Sequence, residues 1–319
     1  MPIPAALGPH LKIPAIAAPM FLTSGPDLVV ETCLGGIIGT FPALNQRTSE
    51  GFRDWLHQIR ARLDGHDAAP FGVNLIAHRT NPRLEADLQI CIEERVPLII
   101  TSLGAVPELV DRVHAYGGLV FHDVISLRHA QKAAAAGVDG IIAVSEGAGG
   151  HAGPLNPFAL VAEIRRIFDG TILLAGAINT GAQVAAARMM GADMAYLGTR
   201  FLATRESTVQ PGFKQMVLDS TAADILYTPK ISGVHANFLR PSVIAAGLDP
   251  ENLEHPEGGL DMQGEAKVWK DIWSAGHGVG SIDDLPGAGE LCRRLIAEYD
   301  AALLGAAREA ADRFLLADA

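Results

Sequence analysis

Eight short apolar runs, separated by seven stretches of helical character, constrain this chain more than any other feature. The runs lie at 15–18, 36–40, 71–75, 98–101, 119–122, 140–144, 172–175 and 194–197. They are continuous rather than alternating, as expected of parallel strands covered on both faces. Amphipathic or Ala-rich stretches at 26–33, 50–63, 82–95, 107–116, 126–136, 157–168 and 181–190 fall between them. Eight β/α units in about 200 residues predict an α/β chain folded as a (β/α)8 TIM barrel, with a doubly wound sheet as the alternative.

After Arg200 the alternation breaks. Residues 206 to about 265 hold a helix-like piece near 213–220, then Pro229, Gly233, Pro241, Gly247, Pro250, Pro256, Gly258 and Gly259. That is too irregular for another β/α unit and too long for a plain loop. It is expected to be a lid inserted after strand eight. A long amphipathic helix over 288–316 should dock back and complete the ring. The division is then a barrel from 1–205 and 286–319 and a lid from 206–285.

With 319 residues, 49% of them hydrophobic, the chain can bury a large core. Its net charge of -11 and scattered Lys and Arg argue against nucleic acid or an anionic membrane as partner. Cys33, Cys91 and Cys292 are odd in number and far apart, so no disulfide frame or CxxC pair follows. No apolar run approaches the roughly 20 residues of a membrane helix, and the N-terminus has no basic n-region. A soluble, cytoplasmic protein is expected, with a homo-oligomer left open.

Barrel active sites lie at the C-terminal ends of the strands. There the chain places Pro19 and Met20 after strand one, Asn74 after strand three, and His122 and Asp123 after strand five. Glu146 and His151 follow strand six, Gly176 and Ala177 strand seven, Gly198 and Thr199 strand eight. The loops after strands seven and eight are the recurrent phosphate site of such barrels, with Thr180 and Gly181 opening a helix beside them. Gly147, Ala148, Gly149 and Gly150 leave bare backbone that a flat ligand can approach. His151 stands in their midst, and histidine is the residue type most used as a general base near neutral pH. Gly147-x-Gly149-x-x-Ala152, with Asp169 about 20 residues on, formally matches the dinucleotide fingerprint, but Pro154 and the Asn156 cap delay the helix that motif requires. His122, Asp123 and His129 lack the spacing of a ligand set, so no metal is expected. A second small-residue stretch, 273–280, is anchored by Trp273.

Taken together, Ala18-Pro19-Met20, the strand Phe71-Gly72-Val73-Asn74-Leu75, Glu146 to Gly153, Gly198-Thr199-Arg200-Phe201 and Trp273-Ser274-Ala275-Gly276 resemble the nitronate monooxygenases, formerly 2-nitropropane dioxygenases. The resemblance runs from about residue 13 to 285 and is specific as a set. It implies an FMN-dependent barrel that oxidises alkyl nitronates with O2 to carbonyl compounds and nitrite. It implies that Ala18, Pro19 and Met20 line the isoalloxazine, with Asn74, His122 and Glu146 near the flavin and Gly149 and Gly150 approaching its edge. Gly176, Ala177, Gly198 and Thr199 would hold the phosphate, and Ser274 and Gly276 belong to a loop near the flavin. His151 matches the family histidine that takes the α-proton of a neutral nitroalkane or helps hold the nitronate. Some relatives carry Lys where this chain has Asp123, so Lys230 or Arg200 is expected to supply the cation. Similar flavin barrels act as NADH-dependent quinone or enoyl reductases, which is the alternative activity. The stretch 230–240 is the most distinctive part of the lid.

Overall fold

The computed structural model describes residues 3–254 and 270–317. Residues 255–269 of the expected lid, Pro256, Gly258 and Gly259 among them, lie outside the described residues, as do the first two and last two residues. The eight expected strands close into a parallel barrel. They are β1 (Ala15–Ala17), β2 (Ile38–Pro42), β3 (Phe71–Ile76), β4 (Leu98–Ser102), β5 (Leu119–Val124), β6 (Gly140–Val144), β8 (Thr171–Ala175) and β9 (Met194–Leu197). The two-residue strand β7 (Gly150–His151) lies outside the barrel. Closure is made by β1 pairing with both β2 and β9. The doubly wound alternative is excluded, because an open sheet has two edges and this one has none.

Helices α1 (Pro26–Leu34), α2 (Ser49–Leu63), α3 (Leu84–Glu93), α4 (Pro107–His114), α5 (Leu127–Ala135), α6 (Pro157–Arg165) and α7 (Gly181–Met189) occupy the expected intervals. The second strand begins two residues later than its apolar run, because Gly36 turns at φ +83°. Side chains alternate across each strand. Ala15, Ala17 and Ile99 therefore pack outward on the helices, while Ile16, Ile38, Leu98, Ile100, Phe121, Ile142, Leu173 and Met194 fill the barrel interior. Leu7, fully buried, belongs to that inner cluster.

The final helix, α11 (Ala288–Ala317), packs on α7 and α1 and takes the place of the eighth helix. Gly181 permits the approach: a Cβ there would lie 2.0 Å from Leu295 O. Between barrel and closing helix come α8 (Thr199–Leu202), α9 (Pro211–Asp219), β10 (Ile225–Thr228), β11 (Ala236–Leu239) and α10 (Arg240–Ala245). The expected helix at 213–220 corresponds to α9. The sheet in this segment was not anticipated: β10 and β11 form an antiparallel hairpin, and β11 pairs with β7.

Candidate active site

A cavity of about 750 Å³ opens at the C-terminal ends of the barrel strands. Ala18, Pro19, Met20, Asn74, His122, Gly149, Gly150, His151, Gly176, Ala177, Gly198, Thr199, Ser274 and Gly276 all line it. Glu146 does not. It is exposed, accepts a 3.4 Å bond from Asn156 Nδ2, and is absent from the cavity wall. The turn that follows β6 carries it outward, because Glu146 N–H is tied to Leu155 O on the far side of the loop.

The glycine loop is held from the lid side. His151 lies opposite Ala236 and Gly150 opposite Asn237 in the β7–β11 pair. Ala152 N–H donates to His235 O (3.2 Å), and Tyr227 Oη donates to Ala152 O (3.1 Å). Asn237 is fully buried and gives its Nδ2 protons to Glu146 O (2.8 Å) and Ala148 O (2.6 Å). Ser274 Oγ accepts from Gly150 N–H (2.6 Å) and donates to Asn237 O (2.6 Å). The backbone that carries His151 is therefore fixed on both flanks by residues 75 or more positions away along the chain. This also disposes of the dinucleotide fingerprint: the loop enters a strand, and α6 starts only at Pro157.

Close backbone approach accounts for two of the glycines. A Cβ on Gly276 would stand 2.4 Å from Gly147 O, and one on Gly149 would stand 2.8 Å from Gly276 N. The packing brings Gly276 N–H onto Thr199 Oγ1 at 2.9 Å. Since that oxygen accepts, the Thr199 hydroxyl proton is left to donate elsewhere. Gly198 is different: a Cβ there would meet nothing nearer than Ala18 Cβ and Met20 Sδ at 3.9 Å, so it would project into the cavity. Bare space at Gly198, a donor at Thr199 and the first N–H groups of α8 fit the phosphate of a flat coenzyme. The N-terminus of α7 does not serve, contrary to expectation. Asn179 and Thr180 N–H go to Gln183 Oε1, and Gly181 N–H goes to Glu298 Oε2 at 2.7 Å. Glu298 comes from the closing helix, so no local pattern revealed it.

The polar wall lies on β3, β4 and β5. Asn74 Nδ2 donates to Ile100 O (3.1 Å) and Ser102 Oγ (2.8 Å), and Ser102 Oγ donates to Asp123 Oδ2. With both amide protons spent, Asn74 has only its oxygen to offer a ligand. Burial raises the Asp123 carboxyl above the ordinary range, against the pull of His122, Ser102, His151 and His129. Burial likewise lowers His122, whose Nδ1 sits 2.8 Å from Thr101 Oγ1. The expected cation is neither Arg200 nor Lys230: Arg200 is buried, with Nη2 on Asp284 Oδ1 at 2.8 Å, and neither residue lines the cavity. Among the described residues, the Lys or Arg side chain on the wall is that of Lys132, one turn along α5 from His129. Their i, i+3 spacing was the available signal. No group of three or more His, Cys, Asp or Glu among the described residues could hold a metal.

The model of the family described as Nitronate monooxygenase matches residues 8–298. The Nitronate monooxygenase of Paraburkholderia phytofirmans is 28% identical over 298 residues, covering 78% of this chain and 80% of the relative. A (3aS,4S,5R,7aS)-5-hydroxy-7a-methyl-1-oxo-octahydro-1H-indene-4-carboxyl-CoA dehydrogenase of Rhodococcus jostii is 28% identical over 242 residues, covering 76% of this chain and 65% of the relative. Among solved structures, a nitroalkane oxidase from Streptomyces ansochromogenes superposes with a TM-score of 0.81 at 25% identity, covering 94% of this chain and 99% of the other. FabK from Thermotoga maritima shares the fold with a TM-score of 0.81 at 24% identity, covering 95% and 97% of the two chains. With the matched region spanning the whole barrel and its closing loops, the chain is an oxidoreductase belonging to the nitronate monooxygenase family.

Proposed function

We propose that this enzyme oxidises small alkyl nitronates, with FMN as cofactor and O2 as oxidant, to carbonyl compounds and nitrite, and that His151 is its general base. The observation that carries the reading is the joint placement of His151 and the Gly198–Thr199 cradle on one cavity, with the His151 backbone clamped by β11. A volume of about 750 Å³ is in the range of cofactor sites, roughly 300–1,000 Å³. Bound FMN would supply the electron transfer with O2, and the protein groups position it. Ala18, Pro19 and Met20 form one wall for the ring, Asn74 presents an acceptor, and Thr199 presents a donor toward the phosphate. His151 takes the α-proton of a neutral nitroalkane, and the electron pair left on carbon delocalises into the nitro group. Apolar side chains such as Leu44, Ile125, Phe213 and Val234 keep water from the cavity. Residues 206–285 act as the lid, supplying Phe213, Val234 and His235 to the wall. The three buried thiols suit a reducing cytoplasm.

His151→Asn is expected to retain the flavin and lose about a hundredfold or more in turnover of neutral nitroalkanes, with a smaller loss on preformed nitronates. Equal losses on the two substrates, measured by steady-state kinetics, would remove the base role. The carboxyl-CoA dehydrogenase, as similar in identity as the nitronate monooxygenase, supports only that relatives of this strength include a different oxidoreductase activity; the second reading is an NADH-dependent quinone or enoyl reductase on the same barrel. Anaerobic bleaching of the flavin by NADH at the rate of turnover would decide for it.

A further inference from the structure

Toward the cavity mouth from the polar wall runs a tier of apolar residues, and one of them stands where strand geometry would not put it. On β3, Val73 and Leu75 pack outward on the helices, so Asn74 and then Ile76 face the interior. On β5, Val120 and Val124 pack outward, so Asp123 and then Ile125 face inward. Ile76 and Ile125 are half-buried and line the cavity, two residues beyond Asn74 and Asp123. Strand β4 lies between β3 and β5. Its Leu98 and Ile100 fill the interior and its Ile99 packs outward. Continued alternation therefore gives the inward places to Ser102 and Gly104 and turns Leu103 out.

Gly104 cannot complete the tier. A Cβ there would lie 2.3 Å from Ala77 O. That backbone is tied to the end of β4, because Ala77 N–H donates to Ser102 O at 2.8 Å. Leu103 completes the tier instead. Its φ is +63°, a left-handed conformation that strains a bulky L-residue, and it lines the cavity with Ile76 and Ile125. Strain of this kind persists only where the surrounding contacts impose it. Here the turn brings a branched apolar residue to a wall that regular geometry leaves to a glycine.

We infer that Leu103 is a specificity-determining residue, whose side chain limits the length of apolar chain that the cavity accepts beyond the row of Asn74, Ser102 and Asp123. The inference deepens the nitronate reading and rests on it only for identifying that chain as the alkyl group of the nitro compound. Short nitroalkanes fit beneath Leu103, and longer ones meet it.

The test titrates the purified enzyme with straight-chain primary alkanols of increasing length, followed by calorimetry, so that binding is read without turnover. In the parent, affinity is expected to rise about fourfold per added methylene and to level off at the length where the chain meets Leu103. In Leu103→Ala the rise should continue for roughly two or three further carbons, because the substitution removes that much of the wall. The chain length at which kcat/KM for 1-nitroalkanes peaks should move by the same step. A break at the same alkanol length in both proteins, or no alkanol bound by the parent, overturns the proposal. Melting gives a reading independent of any ligand. Leu103→Gly and Leu103→Ala empty the same space, but only glycine takes up a positive φ freely. Leu103→Gly should therefore melt above Leu103→Ala in spite of its more flexible unfolded chain. The reverse order would show that no left-handed turn is imposed at Leu103, and it also overturns the proposal. Loss of nitroalkane turnover alongside an intact alkanol shift would remove the nitronate reading alone.

Discussion

Gly276 and Gly150 show how one residue type meets two different physical demands in the same site. At Gly276 the backbone conformation is ordinary (φ is not positive) and the constraint is space, with Gly147 O 2.4 Å from an added Cβ. At Gly150 there is no atom within 4 Å of an added Cβ, and the constraint is φ +72°. Gly276→Ala must therefore push two backbone segments apart and lengthen the Gly276–Thr199 bond, at a cost of about 1–3 kcal/mol. Gly150→Ala meets only left-handed strain, roughly 1–2 kcal/mol. The expected outcome is that Gly276→Ala loses flavin during gel filtration and melts lower, while Gly150→Ala melts lower but stays yellow. Equal flavin retention in the two would show that the Gly276–Thr199 contact does not shape the cofactor site. The cysteines make the opposite point about residue-level reading. All three are buried, and burial pushes Cys33 up to about 12, so they are packing groups and not nucleophiles.

Among the elements, the three-stranded sheet β10–β11–β7 decides the site more than any single barrel strand. It converts a glycine-rich loop, which alone would sample many conformations, into a strand edge with His151 at a set register. Asn237 is its fastening. Replacing it by Ala leaves Ala148 O without its donor in a buried place, which costs about 1–3 kcal/mol, and removes a partly buried bond to Glu146 O as well. Asn237→Ala should lower the melting temperature and reduce kcat for neutral nitroalkanes more than flavin content, since the His151 strand is released while the phosphate cradle is not. Loss of flavin in step with kcat would mean that the sheet supports the cofactor instead. Sequence alone predicts the helix at α9 but not this sheet. Strand β7 has two residues, too few for any periodicity, and it exists only because β11, about 85 positions later, offers it backbone partners.

At the scale of the whole molecule, a barrel with eight strands needs eight covering helices, and the chain supplies the last one from its far end. Leu291, Cys292 and Leu295 are at most 1% exposed against α7 and α1, and Glu298 satisfies the first N–H of α7. Full burial of each leucine contributes about 1.5–3 kcal/mol, so the docked face accounts for a large part of the roughly 5–15 kcal/mol by which a domain is stable. A chain ending at residue 286 should consequently fail to unfold cooperatively and should bind no flavin. A truncated protein that remains yellow and cooperative in calorimetry would show that the barrel closes without α11. Among the described residues no helix is long and apolar enough to cross a membrane.

Alternation of apolar runs with helical stretches narrowed the fold to a barrel, with a doubly wound sheet as the alternative, because parallel strands joined by short right-handed crossovers have few ways to bury both faces; the pairing of β1 with β9 decided between them. The same pattern placed Asn74, His151, Thr199 and most other candidates at one end, since the polarity of a parallel strand decides which loops share a mouth. Three matters were settled only by tertiary contacts. Glu146 was turned out of the cavity by its bond to Leu155, Arg200 was drawn to Asp284, and the α7 N-terminus was taken by Glu298. In each case the deciding partner is distant in sequence or set by loop geometry. Hydrogen bonds and charge pairs depend on distances of a few ångströms, and those distances exist only once the chain has closed on itself.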